Sequence, residues 1–147
     1  MADSDWSDLR VLYDLAEVVV QGPQGDWAAL EDTARRRGRS ACVITAWNPG
    51  RARPDQVVND EANSRLDRRL RGLDLETWPA EGRSPDGSFH EPGFCVWDAD
   101  HAVMLALGRE FDQLAIYAVD SVGVRSTVAC HDEGLSRPTD GREGRTP

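Results

Sequence analysis

Apolar residues recur along this chain in two periods, one of three to four residues and one of two. Trp6, Leu9, Leu12, Tyr13 and Ala16 follow the first, the spacing of one helical face. Val18, Val19 and Val20 are β-branched and predict the end of a strand, which Gly22-Pro23 breaks. Asp26 is placed to cap a helix through Trp27, Leu30 and Ala34. Arg35, Arg36 and Arg37 fall in its last turn, where cations favour the negative end of the dipole, and Gly38 stops it. Cys42 to Trp47 is a short, nearly continuous apolar run and predicts a central strand covered on both faces, ended by Asn48-Pro49-Gly50.

Val58, Ala62, Leu66 and Leu70 then recur every four residues, the buried stripe of a helix closed by Gly72. Leu73, Leu75 and Thr77 alternate with polar neighbours and predict a strand with one wet face. Pro79 to Ser88 reads as a loop or a loose hairpin tip. Phe94 to Trp97 is the next strand. Asp98 or Asp100 caps a helix through Val103, Met104, Leu107 and Phe111. Leu114 to Val119 forms another strand, and Val122 to Val128 pairs with it across Asp120-Ser121.

From Cys42 to Val119 the order is β-α-β-β-α-β, and the expected fold class is α+β with a ferredoxin-like βαββαβ core. An N-terminal helix-strand-helix extension precedes the core, and a disordered C-terminal tail follows it. One domain is expected over residues 1–131, with the polar tail over residues 132–147. In this reading the first and third core strands lie centrally and run parallel.

Charge and composition narrow the chemistry. The chain has 147 residues and a formal charge of -9, from 26 acids against 17 bases. A net anion is repelled by a phosphate backbone, so no nucleic-acid partner is expected. No apolar run approaches the ~20 residues of a membrane span, so no membrane partner is expected. Every base is Arg. The lack of Lys excludes Schiff-base chemistry and a Walker-type phosphate loop, so no cofactor is implied. An Arg-only set of bases also suggests a GC-rich bacterial genome.

Cys42, Cys95 and Cys130 form no CxxC pair, and no metal site is expected. Cys42 and Cys95 sit in apolar runs and read as buried, reduced thiols of a cytoplasmic protein. Cys130, next to the polar tail, is expected to be exposed.

Several polar residues stand in apolar settings. Asn48 ends the best strand, with Pro49 holding it off helical angles. Asn63 sits beside a buried helical stripe. Glu91 leads into the third core strand, and Gln113 into the fourth. With Tyr13, these residues make up a pattern: Thr45-Ala46-Trp47-Asn48-Pro49, Glu61 with Asn63, Glu91-Pro92-Gly93-Phe94, and Phe111-Asp112-Gln113-Leu114-Ala115-Ile116. Here the chain resembles the bacterial domain of unknown function 3293 family, whose TAxNP, EN, EPS and FxQxA segments appear in that order. The resemblance spans roughly residues 9 to 129 and implies a shared fold and a shared site, but no activity. Three departures stand out: Gly50 where the family often has Ser, Ala62 between Glu61 and Asn63, and Gly93 where the family has Ser.

Three functions follow as expectations. The first is a small-ligand binding or sensing module, with Asn48, Asn63, Gln113 and Trp47 as an amide-rich ligand-binding set suited to a neutral or amphoteric small molecule. The second is a small enzyme using Glu91 or His101 for acid–base chemistry. The third is a homodimer pairing an open sheet face. With parallel central strands, Asn48, Asn63, Gln113 and His101 share one rim, and Glu91 lies at the other.

Overall fold

The computed structural model describes residues 2–50 and 52–131. The tail predicted over residues 132–147 lies outside them. The chain opens with helix α1 (Ala2–Leu15), strand β1 (Glu17–Gln21), strand β2 (Trp27–Ala29) and helix α2 (Leu30–Arg37). Strand β3 (Ala41–Ile44), helix α3 (Gln56–Arg71), strands β4 (Thr77–Arg83) and β5 (His90–Trp97), helix α4 (His101–Glu110), and strands β6 (Ala115–Val119) and β7 (Arg125–Ala129) follow. The fold is α+β. All seven strands join one sheet in the order β2-β1-β4-β5-β3-β6-β7, and every neighbouring pair is antiparallel.

The N-terminal unit differs from the expected helix-strand-helix. Trp27 to Ala29 pairs with Val19 to Gln21 as a hairpin instead of starting a helix. Asp26 closes that hairpin, its carbonyl accepting from the Gly22 N–H at 3.0 Å. The α2 N-cap is Ala29, with no side-chain cap. Pairing of β-branched Val19 and Val20 across the turn outweighs the capping signal. At the other end of α2 the expectation holds: Gly38 adopts φ 64° and closes the helix behind Arg35, Arg36 and Arg37.

The hairpin between β4 and β5 is longer than the sequence predicts. Pairing runs from Thr77 opposite Val96 to Arg83 opposite His90, through Pro79, Gly82, Pro92 and Gly93. Residues that usually break strands lie inside this ribbon, and its turn falls at Asp86-Gly87, where Gly87 takes φ 76°.

Helices cover both faces. Cys42, Ile44, Val96 and Ile116 point to one side and pack with Leu66 and Leu70 of α3 and Met104 and Leu107 of α4. Ala41, Val43, Cys95, Trp97 and Val119 alternate to the other side and pack with Leu30 and Ala34 of α2. The Arg37 guanidinium lies 4.5 Å over the Trp97 ring and 4.6 Å over Trp78. All three cysteines are free and buried. Burial raises the Cys42 thiol pKa to about 12 and that of Cys130 to about 11. The expected exposure of Cys130 is therefore corrected. It packs beneath α4, where a Cβ on Gly108 would lie 2.5 Å from its sulfur.

A second correction decides the geometry of the site. The first and third core strands, β3 and β5, run antiparallel, with Ala41 opposite Trp97 and Ile44 opposite Phe94. The residues that enter β5 therefore lie beside the residues that leave β3. Among the described residues no helix is long and apolar enough to cross a membrane.

Candidate functional site

The segment leaving β3 is held by its own Thr45 hydroxyl and by side chains from α3 and from the connection between α4 and β6. The Thr45 hydroxyl donates to the Pro92 carbonyl at 2.6 Å and accepts from the Trp47 N–H at 3.1 Å. Asn63 of α3 accepts the Ala46 N–H at 2.8 Å and donates to the Pro92 carbonyl at 3.0 Å. Gln113, between α4 and β6, donates to the Trp47 carbonyl at 3.1 Å. Asn48 adopts φ 50°, a left-handed conformation that Asn tolerates better than most residues.

These contacts orient a polar relay. The Asn48 backbone N–H can only donate, and it bonds Asn59 Oδ1 at 2.9 Å. Asn59 must therefore present its NH₂, which donates to Asn48 Oδ1 at 3.0 Å. Asn48 in turn presents its own NH₂, which donates to Glu91 Oε2 at 2.8 Å. Asn48 and Asn59 are buried, and Glu91 is half-buried. Glu91 Oε1 has no hydrogen-bond partner among the described residues. Burial raises the Glu91 pKa above its ordinary value, opposed by the Asn48 bond and the nearby Arg53 charge.

Glu91 shares a strand face with Gly93, Cys95 and Trp97, the face on which α2 packs. On this side, between α1 and the sheet, lies a cavity of about 510 Å³. Leu9, Leu12 and Leu15 of α1, Val43 and Phe89 give it apolar walls, and Asn48, Glu91, Gln113 and Tyr117 line its polar parts. Among the described residues its charged lining residues are Glu91, Arg53 and Arg83. Arg83 is engaged elsewhere, bonded to Glu81 at 2.9 Å and lying 5.4 Å from the Trp27 ring. Arg53 lies 5.9 Å from the Phe89 ring.

The cover of the cavity is fastened at one end. The Tyr117 hydroxyl donates to the Tyr13 carbonyl at 2.9 Å. Arg125 donates to the Asp14 and Ala16 carbonyls at 2.9 and 2.8 Å. Thr127 donates to the Asp14 carboxylate at 2.6 Å. The Tyr13 and Asp14 carbonyls in the last turn of α1, and that of Ala16 just beyond it, thus accept from side chains of β6 and β7. Burial also raises the Tyr117 pKa.

The sequence-derived site residues fall into three groups. Asn48 and Gln113 both line the cavity. Asn63 and Trp47 are not among its lining residues: Asn63 is bonded to backbone, and the Trp47 ring packs 6.3 Å from His90. Glu91 and His101 exchange the places expected of them. Glu91 reaches Asn48, while His101 is exposed in the first turn of α4, beyond the far end of β5. The antiparallel direction of β5 is the physical reason.

Sequence reasoning missed Asn59, Arg53 and the role of Tyr117. The helical repeat does contain a signal for Asn59. Asn59, Ala62, Leu66 and Leu70 are the buried positions of α3, whereas Val58 is 50% exposed.

The fold and site define a class: an α+β protein with a helix-covered antiparallel sheet and a carboxyl-bearing apolar cavity at its rim. Over residues 44–116 the chain matches the model of a family described as "Protein of unknown function (DUF3293)", and the resemblance is established on that segment. The segment holds Asn48, Asn59, Asn63, Glu91 and Gln113, the residues that build the relay and brace it. No curated protein and no solved structure matched the chain.

Proposed function

We propose that this protein binds a small, largely apolar molecule beneath α1, with Glu91 and Asn48 reading its polar end. One observation carries the reading: a half-buried carboxyl with an unpartnered oxygen lines an otherwise mainly apolar cavity of about 510 Å³. A few placed polar groups in an apolar hollow are the usual make-up of a small-molecule site. Asn63, Gln113 and Trp47 are assigned a supporting part, since their bonds and packing brace the segment that carries Asn48. The test is an amide chemical-shift titration with 2-phenylethanol as a neutral probe. Saturable shifts confined to residues 9–16, 43–50, 89–93 and 113–117 are expected. Unsaturable or scattered shifts would contradict the reading.

A second reading, proton transfer by Glu91, is favoured by the raised pKa of that carboxyl. Incubation of a metabolite extract with the parent protein and with Glu91→Gln tests it. A metabolite consumed by the parent alone supports the reading, and identical profiles contradict it. A homodimer through an open sheet face draws no support, since helices cover both faces.

The same proposal takes the β3-α3-β4-β5-α4-β6 core as ferredoxin-like. Its support is the core order β4-β5-β3-β6, in which each βαβ crossover skips one antiparallel strand. A cytoplasmic setting, supported by three buried reduced cysteines, completes it.

A further inference from the structure

The polarity of the relay limits what can sit against Glu91. The Asn48 backbone N–H fixes Asn59, Asn59 fixes Asn48, and Asn48 presents a donor to Glu91 Oε2. A donor at that oxygen supports the ionised carboxylate against the burial that favours the neutral form, and Glu91 lines the cavity with its other oxygen unpartnered among the described residues. A carboxylate oxygen accepts and cannot donate. The group that meets it must therefore donate.

The surroundings then select for charge. A half-buried anion facing apolar walls has lost part of its hydration, and no cationic side chain pairs with it among the described residues. Arg53, whose charge acts on it, forms no ion pair with it and lies against Phe89 instead. A cationic donor restores more of the lost solvation than a neutral one, because charge-assisted bonds are roughly twice as strong as neutral ones. The walls formed by Leu9, Leu12, Val43 and Phe89 require an apolar body behind that head.

We propose that the ligand is a protonated amine with an apolar body, its ammonium donating to Glu91 Oε1 and its body lying under α1. This rests on the cavity reading above and names the chemistry the cavity selects. The experiment compares three near-isosteric probes by calorimetry and chemical-shift titration: 2-phenylethylamine, 2-phenylethanol and 3-phenylpropionate. The amine should bind at least about tenfold more tightly than the alcohol, one charge-assisted bond against a neutral one, with 3-phenylpropionate weakest. In Glu91→Gln, checked for its fold by circular dichroism, the amine-to-alcohol ratio should collapse towards one.

Equal binding of amine and alcohol by the parent would overturn this inference while leaving the cavity reading intact. Tightest binding of 3-phenylpropionate would overturn it too and transfer recognition to Arg53. Failure of all three to bind would overturn the cavity reading itself. The parent comparison decides the matter even where the variant does not fold.

Discussion

A Cβ built on Gly93 would lie 2.6 Å from the Ile44 carbonyl oxygen and 3.0 Å from Thr45 Cβ. The departure from the Ser of the resembled family therefore has a local steric reason in this chain. Gly93 lies against the Ile44 carbonyl and Thr45 just where the Thr45–Asn48 segment turns away. Gly93→Ala should destabilise the protein by about 1–3 kcal/mol, the range for forcing an extra carbon into a packed position. Urea unfolding measures it, and an unchanged midpoint would contradict the close approach. Glu91 carries the second prediction at this scale. Its folded pKa is raised, so the folded state penalises the charged form. Stability relative to Glu91→Gln should then fall as pH rises through the carboxylate range and level off above the folded pKa. The variant should be at least as stable as the parent at pH 7, and its advantage should vanish in acid. An advantage that instead grows as pH falls would reverse the assigned sign.

Helix α3 separates what periodicity reveals from what it hides. The four-residue repeat of Ala62, Leu66 and Leu70 is a buried stripe, as the sequence indicates. Extended one step towards the N-terminus by residue type, the stripe takes in Val58; extended by geometry, it takes in Asn59. A buried Asn is legible only through its partner, and that partner is a backbone N–H eleven residues away in a loop. Asn59→Ala should cost about 1–3 kcal/mol, because it orphans the buried Asn48 N–H and the Asn48 side-chain Oδ1. Val58→Ala, at an exposed position, should stay within about 0.5 kcal/mol. Thermal unfolding of the pair checks the register, and a larger loss at Val58 would contradict it. Helix α1 makes the complementary case. Its face was legible in Leu9 and Tyr13, though Leu12 is 65% exposed; its fastening by Tyr117, Arg125 and Thr127 was not legible, because those residues lie about a hundred positions away. Arg125→Ala should remove the bonds to the Asp14 and Ala16 carbonyls at the end of α1 and speed amide exchange in α1 while leaving α3 protected. Equal protection in α1 before and after the change would contradict that fastening.

At the scale of the whole molecule, one strand direction decides the site. The sequence supplies the order of the core elements from β3 to β6, although β4 begins only at Thr77 and runs on through Pro79 to Arg83, past the Leu73–Thr77 alternation and into the segment read as a loop. Asp100 does cap α4, and Gly38 does close α2. Strand direction follows from the order of elements: the α3 crossover leaves β4 parallel to β3 and the hairpin turns β5 back, so parallel central strands are inconsistent with a βαββαβ core. With β5 antiparallel to β3, Glu91 comes to Asn48 and His101 leaves it. Asn48, Gln113 and Glu91 were visible as polar residues in apolar settings; that a relay links Asn48 to Glu91, and that the hollow lies on the α1 side, required the sheet. The most direct test is to follow the Glu91 side-chain carboxyl by carbon NMR, titrating with acid in the free protein and at saturating 2-phenylethylamine. Its midpoint should lie above the ordinary 4.5 in the free protein, for which burial is the chief cause, and fall when the ammonium is bound. A midpoint at the ordinary value that the amine leaves unmoved would contradict a buried, ligand-reading carboxyl.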